Sequence, residues 1–328
     1  MPIAIIVHGG AGTIPAQRFE LAQAGCQEAA LVGWHILQAG GSALDAVEAA
    51  VRSLEDNFIF NAGTGACLTT AGNIELDAGI MEGRTLQVGA VAAVELIKNP
   101  ISLARKVLES PHVLLVGKGA QEFAQEQGIT LCRVEDLMTE RQYENWRAAA
   151  DASQEPRYHR REVGSLPARA VGGPVSGRDE IQAGGETTTE PEEKHGTVGA
   201  VALDTFGALA AATSTGGILN KYPGRVGDSP LIGCGFYADD NAAISCTGHG
   251  EDFIRLLIAK RAADFVARGD TARDAAEATI AVLGAKATGV GGLIVVDRLG
   301  RVGFAWNSQN LVRAYIIEGM EEPITGVV

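Results

Sequence analysis

The chain has 328 residues, of which 46% are hydrophobic, and its mean hydropathy is +0.09. This composition supplies the core of a soluble globular protein with one large domain or two ordinary ones. The formal net charge is −13, and no basic cluster with interleaved aromatic residues stands out, so nucleic acid is not an expected partner.

The N-terminal sequence MPIAIIVHGGAGTIP has no cationic leader, and its apolar run over 3–7 is shorter than a signal-peptide core or a membrane span. The five cysteines are widely scattered and contain no C-x-x-C pair, so neither a disulfide framework nor a zinc site is indicated. They are typical of buried thiols in a reducing compartment. We therefore expect a cytoplasmic protein that does not bind a membrane.

Two adjacent helices are predicted early in the chain. Residues 17–37 have a helical pattern that ends before Gly40 and Gly41, and Ser42 is placed to cap a second helix. The second helix has one apolar face, because hydrophobic residues recur at helical spacing. These residues are Leu44, Val47, Val51 and Leu54.

After Asn57 the pattern changes to short segments separated by turns. Apolar alternation on both sides of 71–73 predicts a hairpin. Further helices are predicted over 101–109, 119–127 and 140–150. The first half of the chain thus mixes helices with strands.

Residues 151–196 lose hydrophobic periodicity and are rich in Pro, Gly, Thr and charged residues. This predicts a flexible linker. Loops longer than about 12 to 15 residues are usually functional or disordered, so the length of this segment requires an explanation. An interdomain linker is the simplest explanation.

The second half resumes with a hairpin at Thr197 that turns at 205–207, and a matching hairpin is predicted over 293–306. Helices are predicted over 253–268 and 271–283. Hairpins, rather than a regular βαβ alternation, favour antiparallel sheets covered by helices. The predicted fold is a layered α/β sandwich and not a doubly wound parallel sheet.

The junction at Thr197, where the irregular segment meets a core strand, suggests a cleavage site. A threonine at a new N-terminus carries a hydroxyl nucleophile and an α-amine that titrates near ~7.7 to 8.0 and can serve as its base. From the junction alone, an ordinary threonine that opens a strand is the simpler interpretation.

Eight motifs follow one another along the chain. They are HGGAGTIP, LEDNFIFNAGTGACLT, IELDAGIMEG, HGTVGAVALD, STGG, GRVGDSP, TGHGE and GVGGLIVVD. Their order and spacing resemble the plant-type L-asparaginase and isoaspartyl aminopeptidase (β-aspartyl peptidase) family of the N-terminal-nucleophile (Ntn) hydrolase superfamily. The resemblance covers nearly the whole chain outside 151–196. It implies a four-layer αββα sandwich, with two mainly antiparallel sheets between helical layers.

The resemblance also implies a precursor that cuts itself between Gly196 and Thr197. An α subunit (1–196) and a β subunit (197–328) would stay folded together as one structural domain. The cleaved protein would hydrolyse L-asparagine to L-aspartate and ammonia, and it would cleave β-aspartyl dipeptides. Thr197 Oγ would attack the Gly196 carbonyl first and the side-chain amide of the substrate later.

Further catalytic roles are implied for residues of the same motifs. Thr215 would order the hydroxyl of Thr197, and Asn61 would orient this residue from the α subunit. The hydroxyl of Thr247 and the backbone N–H of Gly248 would stabilise the oxyanion of each tetrahedral intermediate.

Arg225 and Asp228 of GRVGDSP carry the two charges that an α-amino acid requires. The guanidinium can grip a carboxylate bidentately, and the carboxylate can hold an ammonium group. Without the resemblance, a surface ion pair is the more common role of such residues. The resemblance assigns them to the substrate, and it adds Thr247, Gly248 and Gly250 to the substrate-binding set.

The LEDNFIFNAGTG segment resembles the sodium-binding loop of the family, in which backbone carbonyls hold the cation. The carbonyls would be those of Leu54, Glu55, Asn57, Phe60, Ala62 and Thr64. No catalytic cofactor is implied. The family also implies a dimer of αβ units.

Neither His8 nor His249 is assigned chemistry, because the α-amine already provides the base and no partner stands at metal-ligand spacing. Other functions remain open. These are a glycosylasparaginase-like or protease-like relative and an uncleaved amino-acid-binding protein. A nucleotide-binding protein is also suggested by IAIIVHGGAG, although the chain lacks G-x-G-x-x-G and GK(S/T).

Overall fold

The computed structural model describes residues 1–151 and 196–328. All but the ends of the predicted linker, 151–196, lies outside the described residues. The helices are α1 (Phe19–Gln38), α2 (Ala43–Asp56), α3 (Pro100–Leu108), α4 (Gly117–Glu126), α5 (Glu140–Asp151), α6 (Gly250–Leu256), α7 (Ile258–Ala267) and α8 (Ala272–Lys286). The strands are β1 (Ala4–Gly12), β2 (Leu76–Glu82), β3 (Val88–Val94), β4 (Leu114–Val116), β5 (Val198–Leu203), β6 (Leu209–Thr215), β7 (Phe236–Ala238), β8 (Ala242–Gly248), β9 (Gly291–Asp297), β10 (Val302–Trp306), β11 (Asn310–Ile317) and β12 (Ile324–Gly326).

Two sheets pack face to face in the described part of the chain. The larger has the strand order β12-β11-β1-β5-β6-β2-β3-β4 and is antiparallel except for the β3–β4 pair. The smaller has the order β10-β9-β8-β7 and is antiparallel. Helices α1 to α3 cover the outer face of the larger sheet, and α7 and α8 cover that of the smaller. The predicted four-layer αββα sandwich is confirmed.

Side chains of the central strands alternate between two apolar layers, as the pleat of a sheet requires. On β5, Val198, Ala200 and Ala202 pack toward α2. Val201 and Leu203 on the same strand face the smaller sheet. Both layers are buried, so the register of these strands is strongly specified.

The two N-terminal helices form as predicted. Helix α2 begins after Ser42, whose Oγ accepts a hydrogen bond of 3.1 Å from the backbone N–H of Asp45. The predicted apolar face of α2 is buried against the larger sheet. The hairpins that follow Thr197 and span 293–306 are also present, as β5–β6 and β9–β10.

The hairpin predicted around 71–73 is wrong. A turn does occur there, but the residues before it contribute only a single bridge from Thr69 to Lys221, and the strand after it pairs with β3 and β6. The indole of Trp146 donates a hydrogen bond of 2.9 Å to the Thr69 carbonyl. The same carbonyl accepts from the N–H of Gly72 within the turn, but the N–H of Thr70 donates to the Lys221 carbonyl at 2.9 Å, so long-range hydrogen bonds take the place of a two-stranded ladder.

The prediction of a single helix over 253–268 is also wrong, because the helix is interrupted at Leu257. This residue has a left-handed backbone with φ of 52°. The break lets the N–H groups of Ala259 and Lys260 donate to carbonyls of the 233–234 loop. Tertiary hydrogen bonds therefore divide a locally continuous helical pattern into α6 and α7.

Among the described helices, none combines the length and the hydrophobicity that crossing a lipid bilayer requires.

The left-handed conformation of Leu257 predicts that Leu257→Gly raises the melting temperature. A non-glycine residue in this region costs about 1 kcal/mol, which glycine avoids. Leu21→Gly is the matched control, because Leu21 is similarly exposed but lies inside α1, where glycine costs about 1 kcal/mol. Thermal unfolding followed by circular dichroism measures both variants. Equal destabilisation by the two substitutions would contradict the assignment of strain to Leu257.

Candidate active site

Three threonines lie at strand ends on the same side of the two facing sheets. Thr197 directly precedes β5, Thr215 ends β6, and Thr247 lies one residue before the end of β8. Because β5 and β6 are antiparallel, with Val198 opposite Ser214, the start of one strand lies beside the end of the other. All three threonines are buried.

The hydroxyl of Thr197 is held by Thr215. Thr197 Oγ1 donates a hydrogen bond of 3.1 Å to Thr215 Oγ1, which also accepts one of 2.9 Å from the N–H of Gly217. Because Gly217 fixes the acceptor, the Thr197 hydroxyl has a defined direction. The structure thus brings together two of the predicted catalytic residues.

Asn61 holds the peptide bond that precedes Thr197. Its backbone N–H donates to the Gly196 carbonyl at 3.3 Å, and its side chain donates to the Gly217 carbonyl at 2.8 Å and accepts from the Cys67 N–H at 2.8 Å. A Cβ atom on residue 196 would lie 2.6 Å from the Asn61 Cβ, so only glycine allows this close passage.

Thr247 contacts β1 rather than Thr197. Its Oγ1 accepts a hydrogen bond of 3.1 Å from the N–H of Ala11, which leaves its own proton available to another acceptor. The next residue, Gly248, lies against Phe253, whose ring would be 2.7 Å from an added Cβ. The turn after β8 is therefore tightly packed.

A small cavity joins most of the predicted residues. Its lining residues are Thr197, Thr215, Gly217, Ile218, Arg225, Gly227, Asp228, Ser229, Gly248 and Gly250. Asn61 and Gly196 line a neighbouring cavity instead. Thr197 and the two charged residues of GRVGDSP thus line one cavity.

Arg225 is engaged by a residue that the sequence analysis missed. Its Nε and Nη2 donate to Glu251 Oε1 and Oε2 at 3.0 and 2.8 Å. Burial acts to raise the pKa of Glu251, but the hydrogen bonds and charge of Arg225 lower it to about 2. The guanidinium keeps its Nη1–Nη2 edge, which lies against Gly227 and Gly250. The acidic residue that ends TGHGE was the available signal.

Asp228 is a buried carboxylate whose charge is poorly compensated. It is 3% exposed, and its Oδ2 has no hydrogen-bond partner among the described residues. Burial raises its pKa to about 7, although the charge of Arg225 acts in the opposite direction. The alternative of a surface ion pair with Arg225 does not hold, because that arginine pairs with Glu251. An uncompensated buried oxygen suits a cationic ligand.

The predicted sodium loop coils around two glycines. A Cβ on Gly63 would lie 2.6 Å from the Glu55 carbonyl oxygen, and one on Gly65 would lie 2.7 Å from that of Phe60. Both glycines have positive φ. The two glycines thus pass close to the predicted carbonyls of Glu55 and Phe60, and that of Glu55 also accepts a hydrogen bond of 2.8 Å from the N–H of Thr64.

Two other carbonyls of this loop are already bound to arginines. Arg141 donates to the Phe58 carbonyl at 3.1 Å, and Arg18 donates to that of Ile59. Neither belongs to the predicted ligand set. Within the described residues no group of three or more His, Cys, Asp or Glu could hold a metal ion.

The two histidines have different surroundings. His249 lies beside Asp252, with 3.0 Å between Nδ1 and Oδ2, and is partly exposed. His8 is fully buried, and its Nδ1 lies 3.1 Å from the carbonyl oxygen of Thr197. No role is predicted for His8, since no local pattern connects it with a residue 189 positions away.

Comparison with known proteins agrees with these motifs. A family model described as asparaginase (Asparaginase_2) matches residues 1–324. A plant-type L-asparaginase of Pyrococcus horikoshii is 47% identical over 330 residues, which cover 99% of this chain and 100% of the relative. The isoaspartyl peptidase/L-asparaginase of Mus musculus is 42% identical, over 97% of this chain and 89% of its own length. The human protein of that name is 41% identical, over 97% of this chain and 94% of its own length. The chain therefore belongs to the asparaginase family defined by this model.

Proposed function

We propose that the protein is an autoprocessing threonine amidohydrolase that converts L-asparagine to L-aspartate and ammonia and cleaves β-aspartyl dipeptides. The observation that carries this proposal is the shared cavity, in which the Thr197 hydroxyl faces the same space as Arg225 and Asp228. Relatives named plant-type L-asparaginase and isoaspartyl peptidase/L-asparaginase support it.

Self-cleavage begins when Thr197 Oγ attacks the carbonyl carbon of Gly196. The N–H of Asn61 already donates to that carbonyl, so it stabilises the oxyanion. Collapse of the intermediate moves the acyl group from nitrogen to oxygen and frees the α-amine. Water then hydrolyses the ester, leaving a carboxylate on Gly196 and an N-terminal Thr197.

The two chains made by this cut, 1–196 and 197–328, would remain one structural domain. Strand β1 of the first chain lies between β11 and β5 of the second, and β6 of the second pairs with β2 of the first. Separating the chains would expose these strand edges and the apolar layers on both faces of the larger sheet. The alternation of strands from the two chains supports a stable αβ unit.

In amide hydrolysis, the α-amine of Thr197 accepts the hydroxyl proton as Oγ attacks the side-chain amide carbon. Ammonia or the amine of a peptide leaves, and water hydrolyses the acyl-enzyme. The N–H of Gly248 and the hydroxyl of Thr247 stabilise the oxyanion. Thr247 suits this role because its Oγ1 already accepts a hydrogen bond from the N–H of Ala11, so its own hydroxyl proton can be donated to the oxyanion.

Substrate recognition uses opposite charges on one side of the cavity. The Nη1–Nη2 edge of Arg225 binds the α-carboxylate, and the unpartnered Oδ2 of Asp228 binds the α-ammonium group. An added Cβ on Gly250 would lie 3.0 Å from both Arg225 Nη2 and Asp228 Oδ1. Glycine at this position keeps the two charges accessible.

We also propose that backbone carbonyls of 54–64 hold a structural sodium ion, which would stabilise the loop that carries Asn61. The coil around Gly63 and Gly65 supports this, since carbonyl oxygens suit a hard cation. We further propose a dimer of αβ units that works in the cytoplasm. The five cysteines are free thiols, as a reducing compartment would keep them.

The first prediction concerns the cut itself. Purified protein should give two fragments on a denaturing gel, and N-terminal sequencing of the smaller should read TVGAVALD. Thr197→Ala should give an inactive single chain, whereas Thr197→Ser should keep some cleavage because it keeps a hydroxyl. A folded wild-type chain that stays intact and binds asparagine without hydrolysing it would favour an amino-acid-binding protein.

The second prediction tests the carboxylate clamp. Arg225→Ala and Arg225→Lys should each raise KM for asparagine by about 10- to 100-fold, because charged hydrogen bonds to the substrate are lost. Lysine does not rescue, since an ammonium group has no bidentate edge. Steady-state kinetics on fully cleaved enzyme provide the measurement. Wild-type kinetics in either variant would rule out this role.

The third prediction concerns pH. Because the pKa of Asp228 is raised to about 7, its charged form is lost as the pH falls through that value, and the substrate's ammonium loses its partner. The ratio kcat/KM should therefore fall on the acid side of about 7. The Thr197 amine contributes a second ionisation in wild type, so in Asp228→Asn, whose affinity is low at every pH, the acid limb should become less steep and follow the amine alone. If the limb instead keeps its wild-type steepness in Asp228→Asn and vanishes in His249→Ala, the wrong group has been assigned.

A further inference from the structure

Three polar side chains form a chain of hydrogen bonds between the sheets, directly behind the nucleophile. They are His8 on β1, Thr213 on β6 and Ser245 on β8, and all are fully buried. His8 Nε2 lies 2.9 Å from Ser245 Oγ, which lies 2.6 Å from Thr213 Oγ1. The other ring nitrogen of His8 lies 3.1 Å from the Thr197 carbonyl oxygen.

The imidazole reaches Thr197 where the β1 backbone turns away from it. The β1–β5 register ends with His8 opposite Gly199, and β1 is irregular between His8 and Ala11. Thr197 lies two residues before Gly199, beyond the last pair of this ladder. The side chain of His8 thus links Thr197 to β1 where strand pairing has stopped.

The direction of every hydrogen bond in this chain can be assigned. The Thr197 carbonyl can only accept, so His8 Nδ1 carries the proton. Burial lowers the pKa of His8 to about 3, so the ring is neutral and Nε2 accepts. Ser245 must then donate to Nε2, and its oxygen accepts from Thr213 at 2.6 Å, because the other acceptor near the Thr213 hydroxyl, the Gly235 carbonyl, is farther away at 3.4 Å. The network therefore fixes a single tautomer of His8.

Gly199 makes room for this arrangement. A Cβ added at this position would lie 2.0 Å from Ser245 Oγ and 2.5 Å from His8 Nε2. Any larger residue would push the ring and the hydroxyl apart. Glycine is therefore required at position 199, the end of the GTVG motif, because His8 and Ser245 meet there and not because the chain turns.

We propose that His8 is a positioning residue, which holds the carbonyl of Thr197 through Nδ1–H and is itself oriented by Ser245 and Thr213. This inference rests on the proposed function. Cleavage removes the link between Thr197 and Gly196, so the new N-terminal residue loses the restraint that Asn61 provides through the Gly196 carbonyl. The bond from His8 remains and keeps the hydroxyl and the α-amine aimed at the substrate.

The consequence is an effect on turnover rather than on affinity. A nucleophile displaced by about 1 Å can lose about 10²-fold in rate, whereas the substrate-binding charges are held by other contacts. Arg225 and Asp228 have no hydrogen bond with His8, Ser245 or Thr213 among the described residues. Loss of the Nδ1 donor should therefore lower kcat and leave KM nearly unchanged.

The test compares His8→Ala, His8→Asn and Thr213→Val in the full-length chain. The control is Thr279→Val, which removes a buried hydroxyl that donates only to the helix carbonyl of Ala275 in α8. The fraction of cleaved chain is measured by intact mass, so that kcat refers to N-terminal Thr197 alone. Melting temperatures are measured in parallel.

We expect His8→Ala to lower kcat by about 10²-fold with little change in KM. In His8→Asn the side-chain amide replaces the Nδ1 donor, and at least a tenfold part of the loss should be regained. Thr213→Val should lower kcat by a smaller factor. Thr279→Val should keep the wild-type kcat, even if its melting temperature falls.

Wild-type kcat in cleaved His8→Ala, or a loss of kcat that merely follows melting temperature across all four variants, would overturn the proposal. If His8→Ala does not fold, the other two variants decide. A wild-type kcat in Thr213→Val would overturn the proposal, and so would a folded His8→Asn whose kcat stays about 10²-fold below that of wild type. An uncleaved or inactive wild type would instead refute the proposed function, so the two failures are distinguishable.

Discussion

The pleat of the two facing sheets is the constraint on which the site depends. Each central strand sends every second side chain into the gap between the sheets. These side chains are apolar deep in the gap and polar toward one end. Toward the site, the successive layers are Val201, Ala211 and Ala243; then Gly199, Thr213 and Ser245; then Thr197, Thr215 and Thr247. A register shift of one residue would turn these side chains toward the helices, so the buried core specifies the geometry of the site.

The burial of the site also determines how its charged side chains interact. Next to this gap the chain places a guanidinium and two carboxylates, and it compensates them unequally. Glu251 is paired with Arg225, whereas Asp228 keeps an oxygen without a partner. Leaving a buried charge uncompensated is costly, and a zwitterionic ligand relieves that cost at Asp228 while using the remaining edge of Arg225. An amino acid bound as we propose would therefore meet charges that are already in place.

Much of this could be predicted from the sequence where the signals are local. Periodicity and capping located α1 and α2, and turn residues located the hairpin after Thr197. The helix break at Leu257 could not be predicted, because its causes are tertiary hydrogen bonds to the 233–234 loop. The false hairpin at 71–73 has a similar origin, because the residues before the turn pair with Lys221.

The candidate site shows the same division. Contiguous motifs pointed to Thr197, Arg225 and Asp228, which line one cavity. His8 was missed because it meets Ser245 across 237 positions of sequence, and only the packing of the two sheets brings them together. Long-range pairs of this kind leave no periodic trace in a single sequence.

The proposed reaction passes through a covalent intermediate on Thr197 Oγ. Rapid acid quenching during asparagine hydrolysis, followed by peptide mass mapping, tests this most directly. We predict an aspartyl ester on the N-terminal threonine of the peptide that begins at Thr197. An ester on any other residue, or turnover of asparagine by a chain still joined at Gly196, would contradict the account.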